Sequence, residues 1–370
     1  MRLAALACLL IFLNAACERK TEEARAPEPA ASFEVKVSDE LPGLSAPATG
    51  VAFWAHPALS FNSLMIVANQ DGVVSYNIED GNEVSRIPGV NAQGAALSYL
   101  GFGAQAAGVL AIFDTDESAF RLYGVDNASR TFLAIDGGPT IRGAVRGFCF
   151  GRAHDIAAPS LFVVQKAKVS IFNMEATDDG VAVTTGAVLK TPGNLTSCAV
   201  DIDGTVLAVS KDGDIYRVTG DNSFAKAFAS AAVTSPGDMA VISTEITSEN
   251  DTAISSQIIL LDRNNGALHI FDRHSGRALG IVMATGTDEL EGVSAASAFG
   301  VTSGNLGALY RNGVVAFATG LEDPSLRLIP ASGIINALTL PEGDPVSPRG
   351  ALPVAEEDND LLIKTGFQPQ

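Results

Sequence analysis

One phrase recurs six times along the 370-residue chain, and it constrains the fold more than any other feature. A short apolar run is followed by a turn, then by a strand alternating apolar and polar residues, then by a second turn. The first copy runs from Ser63 through Asn69-Gln70-Asp71-Gly72 and on through Val73–Ile78 to Gly81. Further copies begin at Ala107, Ser160, Gly204 and Ser256, and the last near Leu306. Their starts lie 44, 53, 44, 52 and 50 residues apart. Asp-Gly and Asn-Gly pairs supply the positive φ that tight hairpins need. A four-stranded blade takes about 40–50 residues, so the spacing predicts an all-β fold, a six-bladed β-propeller. In such a ring the strands are scaffold, and the loops around the central channel are the expected place for function.

Composition agrees and excludes some functions. Hydrophobic residues make up 47% and charged residues 18%, enough apolar material for a large core. The 36 glycines and 17 prolines suit many turns rather than long helices. With 24 basic against 42 acidic residues the net charge is −18, so a nucleic-acid partner is not expected.

The N-terminus reads as an address. Leu3 to Ala16 is apolar apart from Asn14, too short to span a bilayer, and suits a signal peptide. It runs into Asn14-Ala15-Ala16-Cys17 and then the charged Glu18-Arg19-Lys20, similar to the lipobox of bacterial lipoproteins. The bland alternative is an ordinary cleaved signal with an incidental cysteine. Lipidation at Cys17 implies an exported protein held at the cell envelope by acyl chains, with no spanning helix. The expected organisation is residues 1–16 signal, 17–45 lipidated cysteine and flexible tether, 46–345 propeller and 346–370 tail. A monomer is expected.

Several stretches in one order resemble the β-propeller phytase family. They are Val51-Ala52-Phe53-Trp54-Ala55-His56-Pro57, Ser63–Asn69 with Val73–Gly81, Arg146-Gly147-Phe148-Cys149-Phe150, Ser197–Asp201 and Leu326–Pro330. The resemblance implies a calcium-dependent phosphatase acting on inositol phosphates. It assigns phosphate contact to Lys166, with Arg146 standing where the family has a tyrosine facing the site. It assigns metal contact to Asp238 and to the Asp288-Glu289-Leu290-Glu291-Gly292 loop, with calcium as the cofactor.

Much of the family's chemistry is missing here. Thr49-Gly50 stand where it has paired aspartates. Its Asp-x-Arg-Tyr reads Ala96-Leu97-Ser98-Tyr99, and Ser210-Lys211 replace paired glutamates. A lysine at a cation site repels the cation. Bland readings stand beside these assignments: a solvated acidic loop for 288–291, and an exposed strand-edge lysine for Lys166.

Export implies an oxidising compartment, where two lone cysteines tend to pair. Cys149 and Cys198 occupy equivalent points of consecutive units and are expected to form a disulfide; the alternative is two buried thiols. No nucleotide-cradling Gly-Lys-Ser/Thr loop and no Gly-x-Ser-x-Gly elbow occurs. His56, His154, His269 and His274 show no metal-ligand spacing. Two readings stay open: a phytase-like phosphatase, and a non-catalytic propeller binding an anionic ligand or a partner protein at the same mouth.

Overall fold

Six runs of wholly or largely buried β-branched and aliphatic residues each form the second strand of a blade, because strands covered on both faces read as continuous apolar stretches. The computed structural model describes residues 30–100, 106–151, 159–177, 180–219, 223–230, 232–247, 252–320, 322–341 and 343–346. Those from Ala31 onward belong to one unit. Two short strands come first, β1 (Ser32–Lys36) and β2 (Asp39–Leu41). Blade 1 holds β3 (Gly50–Trp54), β4 (Leu64–Asn69), β5 (Gly72–Asn77) and β6 (Glu83–Pro88). Blade 2 holds β7 (Ala92–Ser98), β8 (Ala106–Asp114), β9 (Ala119–Asp126) and β10 (Phe132–Ile135). Blade 3 holds β11 (Val145–Gly151), β12 (Ser160–Gln165), β13 (Lys168–Thr177) and β14 (Gly180–Lys190). Blade 4 holds β15 (Leu195–Val200), β16 (Val206–Ser210), β17 (Asp214–Val218) and β18 (Phe224–Ala229). Blade 5 holds β19 (Pro236–Thr247), β20 (Thr252–Asp262), β21 (Ala267–Asp272) and β22 (Ala278–Thr285). Blade 6 has three strands of its own, β23 (Ala298–Thr302), β24 (Val314–Thr319) and β25 (Ser325–Pro330), before helix α1 (Ala331–Ala337) and β26 (Asp344–Pro345). The protein is an all-β, six-bladed propeller.

The recurring phrase corresponds to the second and third strands of blades 1 to 5. Its sixth copy is displaced. Leu306 to Arg311 form turns, and Val314–Thr319 is the second strand of blade 6. That blade takes its outermost strand from the start of the chain: β2 pairs antiparallel with β25, Asp39 opposite Leu328. Beside it β1 runs parallel to β22, Ser32 opposite Ile281, as a fifth outer strand of blade 5.

These pairings correct the expected tether of residues 17–45. The segment from Ser32 to Leu41 is part of the propeller, because Phe33, Val35 and Val37 alternate toward the core and Val35 and Val37 are buried. Helix α1 lies against this strand, leaving no room for a side chain at Gly333 beside Val35. Cys17, the signal segment 1–16 and the tail from residue 347 onward lie outside the described residues.

Two glycines let the ring close. A Cβ on Gly147 would stand 2.5 Å from the Thr196 carbonyl oxygen of blade 4. One on Gly300 would stand 2.6 Å from the Val51 carbonyl oxygen, where blade 6 meets blade 1. At the next layer, Cys149 of β11 and Cys198 of β15 form a disulfide across the blade 3–4 junction, with their Cα atoms 5.5 Å apart. That pair was legible from the equivalence of their positions in consecutive units.

Candidate functional site

The first strands of all six blades line one central channel of about 310 Å³. Each starts at the end of the ring where the hairpin between second and third strands turns, as Val145 opposite Gln165 shows for blade 3; we call this end the mouth. Four of the six carry a bulge near the mouth: between Gln93 and Ala95, Val145 and Gly147, Leu195 and Ser197, and Pro236 and Met239. An extra residue breaks strict alternation and re-aims side chains. The residues so inserted include Arg146 and Asp238, and both line the channel.

The channel's charged lining among the described residues is Arg146, Asp238 and Arg263. Arg263, at the β20–β21 turn, donates to the Asp238 carboxylate at 3.2 Å. The Phe299 backbone N–H donates to the other carboxylate oxygen at 3.4 Å. Asp238 is one third exposed, and what is exposed faces the channel. Desolvation raises its carboxyl pKa, with Arg263 and the Phe299 amide opposing. Arg146 is half-buried, and its guanidinium has no ion pair or hydrogen bond to the other described residues. Among the described residues the mouth therefore offers one neutralised arginine and one free guanidinium. A planar fork with five donors suits a carboxylate or phosphate oxygen pair.

Neutral groups around the mouth hold the blades together. The Thr49 hydroxyl donates to the Ala92 carbonyl at 2.7 Å and accepts from the Gly94 N–H at 3.3 Å, tying blade 1 to blade 2. The Met239 N–H donates to the Ser197 hydroxyl at 3.2 Å, tying blade 5 to blade 4. At the opposite end of the ring the Tyr99 hydroxyl accepts from the Ala55 N–H at 2.7 Å, a second tie between blades 1 and 2. Ser210 accepts from the Asp212 and Asp214 amides, so it shapes a turn, and Lys211 beside it is exposed.

The other residues singled out in the sequence lie elsewhere. Lys166 is exposed in the β12–β13 hairpin, at the mouth end but outside the channel lining. Asp288, Glu289 and Glu291 are exposed on the connection from β22 to β23. Glu291 is outside the channel lining and pairs with Arg327, whose guanidinium meets its carboxylate at 2.7 Å. The four carboxylates assigned to a cation are thus split between two arginine pairs and an exposed loop. Among the described residues, no three His, Cys, Asp or Glu side chains gather to hold a metal ion. Those four do not fit a calcium site, which needs 6–8 oxygen ligands.

Comparison with known proteins adds little. No family model matches the chain, and no curated protein matches it. The chain is similar in structure to the PQQ-bound form of the aldose sugar dehydrogenase from Streptomyces coelicolor. Identity is 14%, coverage is 82% of this chain and 99% of that one, and the TM-score is 0.47. At that level no property of that enzyme transfers to this chain.

Sequence reasoning missed Arg263. It lies 25 residues beyond Asp238 and reaches it only because β19 and β20 form a hairpin. His269 proves to be a packed residue on β21. Burial pushes its pKa below the ordinary 6.5, with Asp262 pulling the other way. The unfolded chain therefore takes up this proton first as pH falls, and acidification below about 6.5 favours unfolding. The urea midpoint is expected to fall between pH 7 and 5, and His269→Gln to flatten that slope. An unchanged slope in the variant rejects the assignment.

Proposed function

We propose that this protein is a ligand-binding propeller of the bacterial cell envelope, anchored through Cys17, whose channel mouth takes a small anion on Arg146. The resemblance to β-propeller phytases is part of this reading: the chain is a relative of that family that has kept the scaffold and given up most of the cation-binding chemistry. The observation that carries the reading is the Arg146 guanidinium, in the channel at a β-bulge and unpaired among the described residues. Phosphoryl transfer also requires groups that hold cations and take up charge in the transition state. Ground-state binding of an anion requires fewer.

The test is calorimetric titration of the mature protein with inositol hexakisphosphate and with inorganic phosphate, beside a phosphate-release assay across a calcium series. Saturable, salt-sensitive binding with little turnover is expected. Arg146→Gln removes a charge-assisted hydrogen bond of about 1.5–3 kcal/mol, roughly a 10- to 150-fold loss of affinity. Robust calcium-dependent release of phosphate, or affinity unchanged in Arg146→Gln, defeats the proposal.

A further inference from the structure

Six large apolar side chains stand exposed among the described residues, and three of them share one place. Leu59 (43% exposed) and Phe61 (51%) lie between β3 and β4, and Leu309 (54%) lies between β23 and β24. These loops belong to blades 1 and 6, which adjoin, and both lie at the end of the ring opposite the mouth. They abut: a Cβ on Gly307 would stand 3.8 Å from the Cα of Phe61.

The loops are braced. His56 Nδ1 accepts from the Ala58 and Leu59 amides at 3.1 and 2.9 Å, and the Leu306 N–H donates to the Tyr310 carbonyl at 3.1 Å. Beneath them Trp54, Leu64, Leu306 and Tyr310 are buried in one cluster. The apolar tips are thus held outward on a rigid base. Arg311 is exposed in the same loop, and Glu79 stands beside Gly307, so the patch carries no strong net charge.

The same end receives the chain from its N-terminus. Strand β1 runs parallel to β22, which rises from this end toward the mouth, so Ser32 lies at the patch side of blade 5. Cys17 precedes Ser32 by 15 residues. Fifteen residues reach at most about 50 Å even when fully extended. A lipid held at Cys17 therefore limits how far the Ser32 end of β1 can stand from the bilayer.

We infer that Leu59, Phe61 and Leu309 form a docking patch for the lipid surface itself, setting the propeller on its far end with the mouth turned away from the membrane. The inference rests on the Cys17 anchor proposed above. Three apolar side chains alone give weak affinity, but tethering supplies a high effective concentration, so contact follows anchoring rather than producing it.

The test uses the full lipidated chain in vesicles of phosphatidylethanolamine with a minority of phosphatidylglycerol. In the mature chain Cys17 is blocked and Cys149–Cys198 is a disulfide, so Leu309→Cys introduces one thiol for an environment-sensitive fluorophore. Lys166→Cys gives the matching probe at the mouth end. Quenching by spin-labelled lipid is expected at position 309 and not at 166. A second variant, Leu59→Ser with Phe61→Ser, is expected to reduce the quenching at 309 while leaving vesicle pelleting intact. A wild type that stays in solution overturns the anchor and this contact together. A wild type that pellets with position 309 unquenched, or with both positions quenched alike, overturns the contact alone.

Discussion

Replacing Arg273 by alanine is expected to cost the fold about 3–5 kcal/mol, the penalty for leaving a buried charge without its partner. Arg273 follows β21 and is 9% exposed; its Nε meets the Asp201 carboxylate of blade 4 at 2.6 Å, and Asp201 is 2% exposed. The other Asp201 oxygen lies 3.2 Å from both the Ser243 and Ser256 hydroxyls, which are 2.9 Å apart, so one hydroxyl donates to the carboxylate and the other donates to that hydroxyl. The guanidinium also reaches Asp203 and the Thr205 hydroxyl. Every member of this network is satisfied, so its parts are costly to remove singly. Urea denaturation measures the loss. Asp201→Leu with Arg273→Met is expected to recover much of it, since removing both charges avoids the unpaired one. A single-variant loss below about 1 kcal/mol, the size of a solvent-screened surface pair, rejects this reading.

Loss of the Cys149–Cys198 bond is expected to cost a similar amount. The two cysteines lie 49 residues apart, and closing a loop of that size removes about 4 kcal/mol of unfolded-chain entropy at 25 °C. Both are buried, so Cys149→Ala with Cys198→Ala keeps the packing roughly apolar and isolates the cross-link. The expected result is a lower urea midpoint for the double variant, matched by reduced wild type. Denatured, unreduced mature protein should show no reactive thiol from either residue. Two reactive thiols, or equal midpoints, count against it.

The parts of this fold that were legible are those whose pattern is local. Strands such as β4, Leu64–Asn69, are buried throughout and read as unbroken apolar runs, while β9 and β21 follow across short turns. The first strands were harder to read. They carry glycines where blades touch and bulges where side chains turn into the channel, and each bulge breaks the period-2 signal. Arg146 was noticed only through its neighbours Gly147 to Phe150, and Arg263 not at all, since an arginine in a turn looks like any solvated turn residue. β1 and β2 escaped because their partners lie some 250 to 290 residues away. A three-residue strand such as Asp39–Leu41 has no periodicity to detect.

That last pairing sets the order in which the molecule can be made. Strands β1 and β2 are synthesised first, but the edges they complete, on β22 and β25, are synthesised last. Blades 1 to 4 hold all their strands in sequence and can form as the chain emerges. Blade 6 cannot: β1 stays unpaired until β22 of blade 5 exists, and β2 until β25 of blade 6 does. Contacts this distant in sequence are slow to form and leave open edges exposed meanwhile. The ring is therefore a one-way assembly whose final step joins its two ends, and a chain that stops before Ser325 leaves β2 without a strand to pair with.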